Sequence, residues 1–331
     1  MALVRRFVVS ALASSAALAT AAPKRLRVVN ACEEEPLWVA HIAAGTAGPD
    51  PQDVKIEPLQ HHDFTTSDGL AATRYWPKMG CDALGGNCAI GDSGGPGEAC
   101  VRKDKGYDDY SKCAPPVDTK FEASFGQYGQ PCNPQAPGGS EMAGCDYIDM
   151  SLVDGFTLPA KLEIEGGECH DSNDGKLVEK IDCSDLTLDR CPGEETLSAA
   201  GLTLSLKAIN PHTGSVAGCY SPCLRLLDDK WANNGTQFKA EDSGVAPYCC
   251  PTPPISPDKC RTGPVTKTQY LDLVHTKCPG AYGYAYDDSM GLLRCTSSST
   301  YVLTYYCPAG QQQLAASVAN STRSRGFLAY P

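Results

Sequence analysis

Short alternating runs set the pattern of the chain. Arg25-Leu26-Arg27-Val28-Val29-Asn30 alternates and then turns β-branched, and Leu37-Trp38-Val39-Ala40-His41-Ile42 resumes after a charged gap. Two strands are predicted there, with Glu33-Glu34-Glu35-Pro36 as the solvated turn between them. Similar short runs, broken by Gly, Pro, Asn and Asp, continue through Tyr147 to Phe156. A helical stripe is predicted only near Val265 to Thr276, where Tyr270, Leu271 and Val274 share one face. At the N-terminus Arg5 and Arg6 precede an apolar stretch from Phe7 to Leu18 and the small-residue sequence Ala19-Thr20-Ala21. That run is shorter than the ~20 residues needed to span a bilayer, so residues 1–21 read as a cleaved signal peptide rather than an anchor, and no stable membrane span is expected.

Composition narrows the class. The chain has 331 residues with 28 Lys+Arg against 39 Asp+Glu, a net charge of −11 that disfavours nucleic acid as a partner. Gly (32) and Pro (25) are abundant without reaching low-complexity levels, so a folded, loop-rich protein is expected. Eighteen cysteines point to an oxidising, secreted or extracellular setting. Paired Cys-x-x-Cys knuckles of zinc sites are missing, so disulfides rather than metal ligands are expected. Adjacent cysteines seldom bond to each other, so Cys249 and Cys250 should reach different segments.

Several separated motifs then resemble the thaumatin-like proteins, the family that includes osmotins and pathogenesis-related proteins. Val28-Val29-Asn30-Ala31-Cys32, Arg74-Tyr75-Trp76 followed by Cys81, Asp146 to Phe156, Cys278 to Asp288 and Tyr305-Tyr306-Cys307-Pro308 carry the likeness, from about residue 26 to 308. The resemblance implies a mainly β fold, a flattened β-sandwich with a disulfide-rich loop and helix domain and a small inserted loop domain. The expected division is a sandwich core at 25–79, 118–183 and 279–308, a small loop domain at 80–117, a disulfide-rich domain at 184–278 and a disordered tail at 309–331. It also implies the pairs Cys32–Cys307, Cys81–Cys88, Cys169–Cys295, Cys183–Cys278, Cys191–Cys219, Cys223–Cys249 and Cys250–Cys260. Ser93 stands where the family has a bridge cysteine, which leaves Cys100, Cys113, Cys132 and Cys145; Cys100–Cys113 and Cys132–Cys145 are the expected pairs.

Ser93 also makes a decoy, because Gly91-Asp92-Ser93-Gly94-Gly95-Pro96 reads like the nucleophile segment of trypsin-like proteases. That chemistry needs a histidine base and a buried carboxylate on a preceding barrel, and His41, His61 and His62 lack the context. A serine replacing a bridge cysteine is the better reading, and His61-His62 read as a solvent-exposed pair. Asn234-Gly235-Thr236 and Asn320-Ser321-Thr322 fit the N-glycosylation pattern.

Glycoside hydrolysis needs one neutral and one ionised carboxyl at a single site. The family's acidic cleft maps onto Arg74, Glu122, Asp149, Asp154 and Asp287, with Asp288 an alternative to Asp287. Flanking residues differ around Glu122, in Thr119-Lys120-Phe121-Glu122-Ala123. The resemblance implies a secreted, monomeric, cofactor-free defence or antifungal protein that binds β-1,3-glucan or another cell-wall polysaccharide. Glu122 and Asp149 are then the candidate catalytic pair, Glu122 as general acid, with Arg74, Asp154 and Asp287 around them. Non-catalytic carbohydrate or cell-surface binding is the alternative, and a purely structural ion-pair network is the plainest one.

Overall fold

The computed structural model describes residues 23–104, 106–133, 144–231 and 238–308. The expected signal peptide, the 309–331 tail and both glycosylation sites, Asn234 and Asn320, lie outside the described residues.

In chain order the strands are β1 (Leu26–Asn30), β2 (Leu37–Ala43), β3 (Val54–Ile56), β4 (His61–Phe64), β5 (Thr73–Lys78), β6 (Lys120–Ser124), β7 (Cys145–Ser151), β8 (Gly155–Phe156) and β9 (Ala160–Glu165). They continue as β10 (Cys169–Asp171), β11 (Lys180–Cys183), β12 (Glu195–Leu197), β13 (Leu202–Leu204), β14 (Lys207–Ile209), β15 (Val216–Tyr220), β16 (Leu293–Thr296) and β17 (Thr300–Tyr305). Two large sheets carry the fold, a five-stranded one in the order β11-β9-β17-β1-β4 and a seven-stranded one in the order β10-β16-β7-β6-β5-β2-β3. Alternation explains the layers: Tyr301, Leu303 and Tyr305 of β17 are buried, as are Ile148 and Met150 of β7, and both sets join one core cluster with Leu26, Val28, Phe64 and Phe121. The fold is therefore mainly β.

Charge also crosses this core. Arg25 pairs with Asp146, which accepts from Tyr301 Oη at 2.6 Å and from Gly126 N at 2.7 Å. Both charged side chains are almost completely buried, which only this level of hydrogen bonding makes tolerable.

Nine disulfides join Cys32–Cys307, Cys81–Cys88, Cys100–Cys113, Cys132–Cys145, Cys169–Cys295, Cys183–Cys278, Cys191–Cys219, Cys223–Cys249 and Cys250–Cys260. No cysteine among the described residues is free. Cys249 and Cys250 thus pin two different segments to one point.

One sequence expectation changes, that of a single helix, and the two N-terminal strands take separate partners. β1 and β2 are not partners: β1 pairs with β4 and β17 in one sheet, and β2 with β3 and β5 in the other. The acidic turn at 33–36 is the crossover between layers. Besides the expected helix, α4 (Gln269–Lys277), three short ones are present: α1 (Pro222–Leu227), α2 (Ala246–Cys249) and α3 (Pro257–Arg261). None is long enough to show a 3.6-residue stripe. Each has proline at its start, and α1 and α3 are capped by Ser221 and Ser256.

The segment between β5 and β6 folds back over the outer face of the seven-stranded sheet. Trp76 of β5 donates from its indole N–H to Gly91 O at 3.3 Å. Gly91 has φ +79°, and a Cβ there would sit 2.1 Å from Pro77 O, so only glycine permits this approach. Beside it Ser93 is buried and bonds to Asp118. His41 is buried elsewhere, stacked on Tyr75. The protease-like letters therefore form a packed roof.

Candidate active site

Strand register builds a row across the seven-stranded sheet. Arg74 on β5 lies opposite Glu122 on β6, and Glu122 lies opposite Asp149 on β7. Opposed residues in an antiparallel pair have Cβ atoms about 4.5 to 5.5 Å apart and project to the same face, so the two carboxyls are immediate neighbours. Tyr147 and Ser151 share that face with Asp149, because β7 sends Ile148 and Met150 inward.

The charges in this row are unequal. Arg74 Nε pairs with Glu122 Oε1, with Arg74 about half exposed and Glu122 about a quarter. Asp149 is held well above the usual carboxylate range, first by burial and then by the neighbouring Glu122 charge, with Arg74 partly offsetting both. The cation thus sits on Glu122 and the proton is favoured on Asp149. The sequence reading assigns the proton to Glu122; burial of Asp149, more than any charge beside it, favours the neighbouring carboxyl for that role.

Asp154 and Asp287 are not free members of the row. Asp154 is ion-paired to Lys120, a nearly buried lysine on the same strand face as Glu122. Burial works against the Lys120 charge, but Asp154 and Asp118 outweigh it and raise the ammonium pKa. Asp118 is itself pushed up to about 7, chiefly by burial. Asp287, expected to line the cleft, is 1 % exposed, with Oδ2 2.7 Å from His275 Nε2 and 2.8 Å from Gly283 N. It braces the Gly283 turn against α4 instead.

Asp288 is the exposed one of the two. Its Oδ2 accepts from Arg261 at 2.7 Å and its Oδ1 from Tyr282 Oη at 3.2 Å. Tyr282 sits near enough to Asp149 for that charge to act on it: its pKa is raised by burial, then by Asp288, then by Asp149. The backbone fixes this placement, since Tyr282 N donates to Met150 O and Tyr282 O accepts from Leu152 N. Sequence reasoning missed Lys120, His275 and Tyr282. The signal available for Lys120 was its place two residues from Glu122, on the same face of the alternating strand.

Fold and site together define a disulfide-stapled β-sandwich with a row of carboxyls on one open sheet face. The thaumatin family model matches residues 136–308, and the chain belongs to the thaumatin family. Thaumatin-like protein 1a from Malus domestica is 33% identical over 167 residues, 50% of this chain and 50% of that protein. A protein from Prunus avium named glucan endo-1,3-beta-glucosidase is 30% identical over 167 residues, with the same coverage of both chains. The match thus spans about half the length of these relatives. A GH family 64 laminaripentaose-producing beta-1,3-glucanase from Paenibacillus barengoltzii aligns over 85% of this chain and 74% of its own, at 11% identity and a TM-score of 0.44, a distant likeness from which nothing about the site follows. No helix among the described residues is long and apolar enough to cross a membrane.

Proposed function

We propose that the protein is secreted, that its acidic face binds β-1,3-glucan in a defence or antifungal role, and that Asp149 and Glu122 hydrolyse the bound chain. The carrying observation is the register row Arg74–Glu122–Asp149, in which one carboxyl is ion-paired and its neighbour is pushed toward the protonated form. Asp149 then protonates the leaving oxygen and Glu122 acts as the ionised partner. Retaining glycosidases hold their carboxyls about 5 to 5.5 Å apart and inverting ones about 6.5 to 9.5 Å; strand register fixes only the Cβ spacing of Glu122 and Asp149, about 4.5 to 5.5 Å, and the side-chain rotamers set the carboxyl separation. The anomeric configuration of the released sugar reports which of the two spacings operates. The family relative whose name is a glucan endo-1,3-beta-glucosidase supports the substrate class.

One observation favours a second reading, binding without hydrolysis: Lys120 ties up Asp154 and His275 ties up Asp287, so fewer free carboxyls face the substrate. Release of reducing sugar from laminarin by the purified protein separates the two. Hydrolysis that declines as pH rises through the Asp149 titration supports catalysis; laminarin binding with no sugar released supports the binder.

A further inference from the structure

A second concavity shares no residue with the acidic row. It has a volume of about 260 Å³ and opens between two parts of the chain. One wall is the segment after β5, with Asn87, Asp92 and Lys112; the other is the turn joining β14 to β15, with His212 and Thr213, together with Trp231.

The walls are tied to each other and to rigid structure. Asn210, 2 % exposed, donates to Ala89 O at 3.1 Å across the gap, and its Oδ1 accepts from His212 N at 2.8 Å and Thr213 N at 3.4 Å. Lys230, next to Trp231, donates to Tyr110 O at 2.9 Å and Cys113 O at 3.0 Å. Disulfides Cys81–Cys88 and Cys100–Cys113 hold the first wall. The cavity is thus preformed, at the kind of junction between chain regions where small ligands bind.

Its chemistry selects a ligand class. Trp231 supplies aromatic surface to the lining, while Asn87, Asp92, His212 and Thr213 are the polar residues beside it. Asp92 Oδ1 is itself buried and lies 3.4 Å from Lys78 Nζ, so this oxygen belongs to the Lys78 cluster. The opposite charges of Asp92 and Lys112 leave no net demand for an anion or a cation. A sugar ring, with an apolar C–H face and a hydroxyl rim, matches this set. The volume lies below the roughly 300 to 1,000 Å³ of drug-sized pockets and suits one ring rather than a chain.

We propose that this cavity is a second binding site, taking a single neutral sugar ring, separate from the acidic row and independent of whether that row is catalytic. The ring is either a free monosaccharide or the end unit of an oligosaccharide. Methyl β-D-glucoside and methyl α-D-mannoside probe the first source and laminaritriose the second, by saturation-transfer NMR and intrinsic fluorescence. Of the three tryptophans, Trp38 and Trp76 are buried, so a fluorescence change on binding reports Trp231. A dissociation constant on the order of 1 mM is expected for at least one probe. Trp231→Ala should abolish it, His212→Ala should weaken it at least fivefold, and Asp149→Asn should leave it unchanged. Binding to no probe at tenfold higher concentration overturns the proposal. So does binding that survives both cavity substitutions, or binding that Asp149→Asn removes, which would place the sugar on the acidic row.

Discussion

One sheet face carries two charge clusters with opposite fates. Arg74 and Lys78 both project outward from β5, four residues apart, and each gathers carboxylates. Arg74 meets Glu122 beside Asp149 in the open. Lys78 lies under the roof segment, fully buried, with Nζ 2.6 Å from Glu98 Oε2, 2.7 Å from Asp53 Oδ1 and 3.4 Å from Asp92 Oδ1. Burial there pushes Glu98 up to about 8 even though Lys78 pulls it down. Asp92, Glu98 and Cys100 come close enough to suggest a metal site, yet the Cys100 sulfur is spent in its bridge to Cys113. Similar residue types thus serve two ends. The roofed cluster fastens a loop to the sheet, and the open one keeps polar atoms that a ligand can reach.

The sharpest way to break that contrast is to delete each cation or carboxyl in turn. Lys78→Met strands three carboxylates in the interior and should cost about 3 to 5 kcal/mol of stability, read by calorimetry. A loss under about 1 kcal/mol would show that the roof is not held there. Asp149→Asn should do the reverse, lowering laminarin hydrolysis by roughly 10² to 10⁴-fold while the melting temperature holds or rises. Glu98→Gln tests the pH signature. A carboxyl whose folded pKa is raised binds its proton more tightly in the native state, so stability is highest at low pH and falls as pH rises from about 4.5 toward about 8. The variant should flatten the upper part of that fall, leaving the share due to Asp118 below about pH 7. The smallest stability effect belongs to Arg74→Gln, an exposed pair worth at most about 1 kcal/mol, although it should move the pH profile of hydrolysis upward, because Arg74 lowers the Asp149 pKa.

Fold class was legible because the alternation of β1 and β7, the eighteen cysteines and the motif order all agree. The short helices were not, since α1 and α3 rest on serine caps and all three carry a bridge cysteine, with no periodicity to read. Within the site, residue types could be read but pairings could not. That Glu122 opposes Asp149 depends on the register of two strands joined by a long connection, and no local pattern encodes it. Which of Asp287 and Asp288 faces outward depends on His275, a helix turn away from the motif. The unequal surroundings of the two carboxyls were hidden for the same reason: the burial of Asp149 and the Arg74–Glu122 pair both follow from strand pairings that adjacency in sequence does not reveal.

The order of strands in the five-stranded sheet has a consequence for biosynthesis. β17 lies between β9 and β1, yet it is the last strand to leave the ribosome among the described residues. Until Tyr305 emerges, the growing chain holds β11-β9 on one side and β1-β4 on the other, each with an unpaired edge facing the gap. Exposed edges of this kind recruit other strands. Nascent chains stalled before residue 300 should therefore depend on folding helpers and self-associate without them, whichever functional site they already carry.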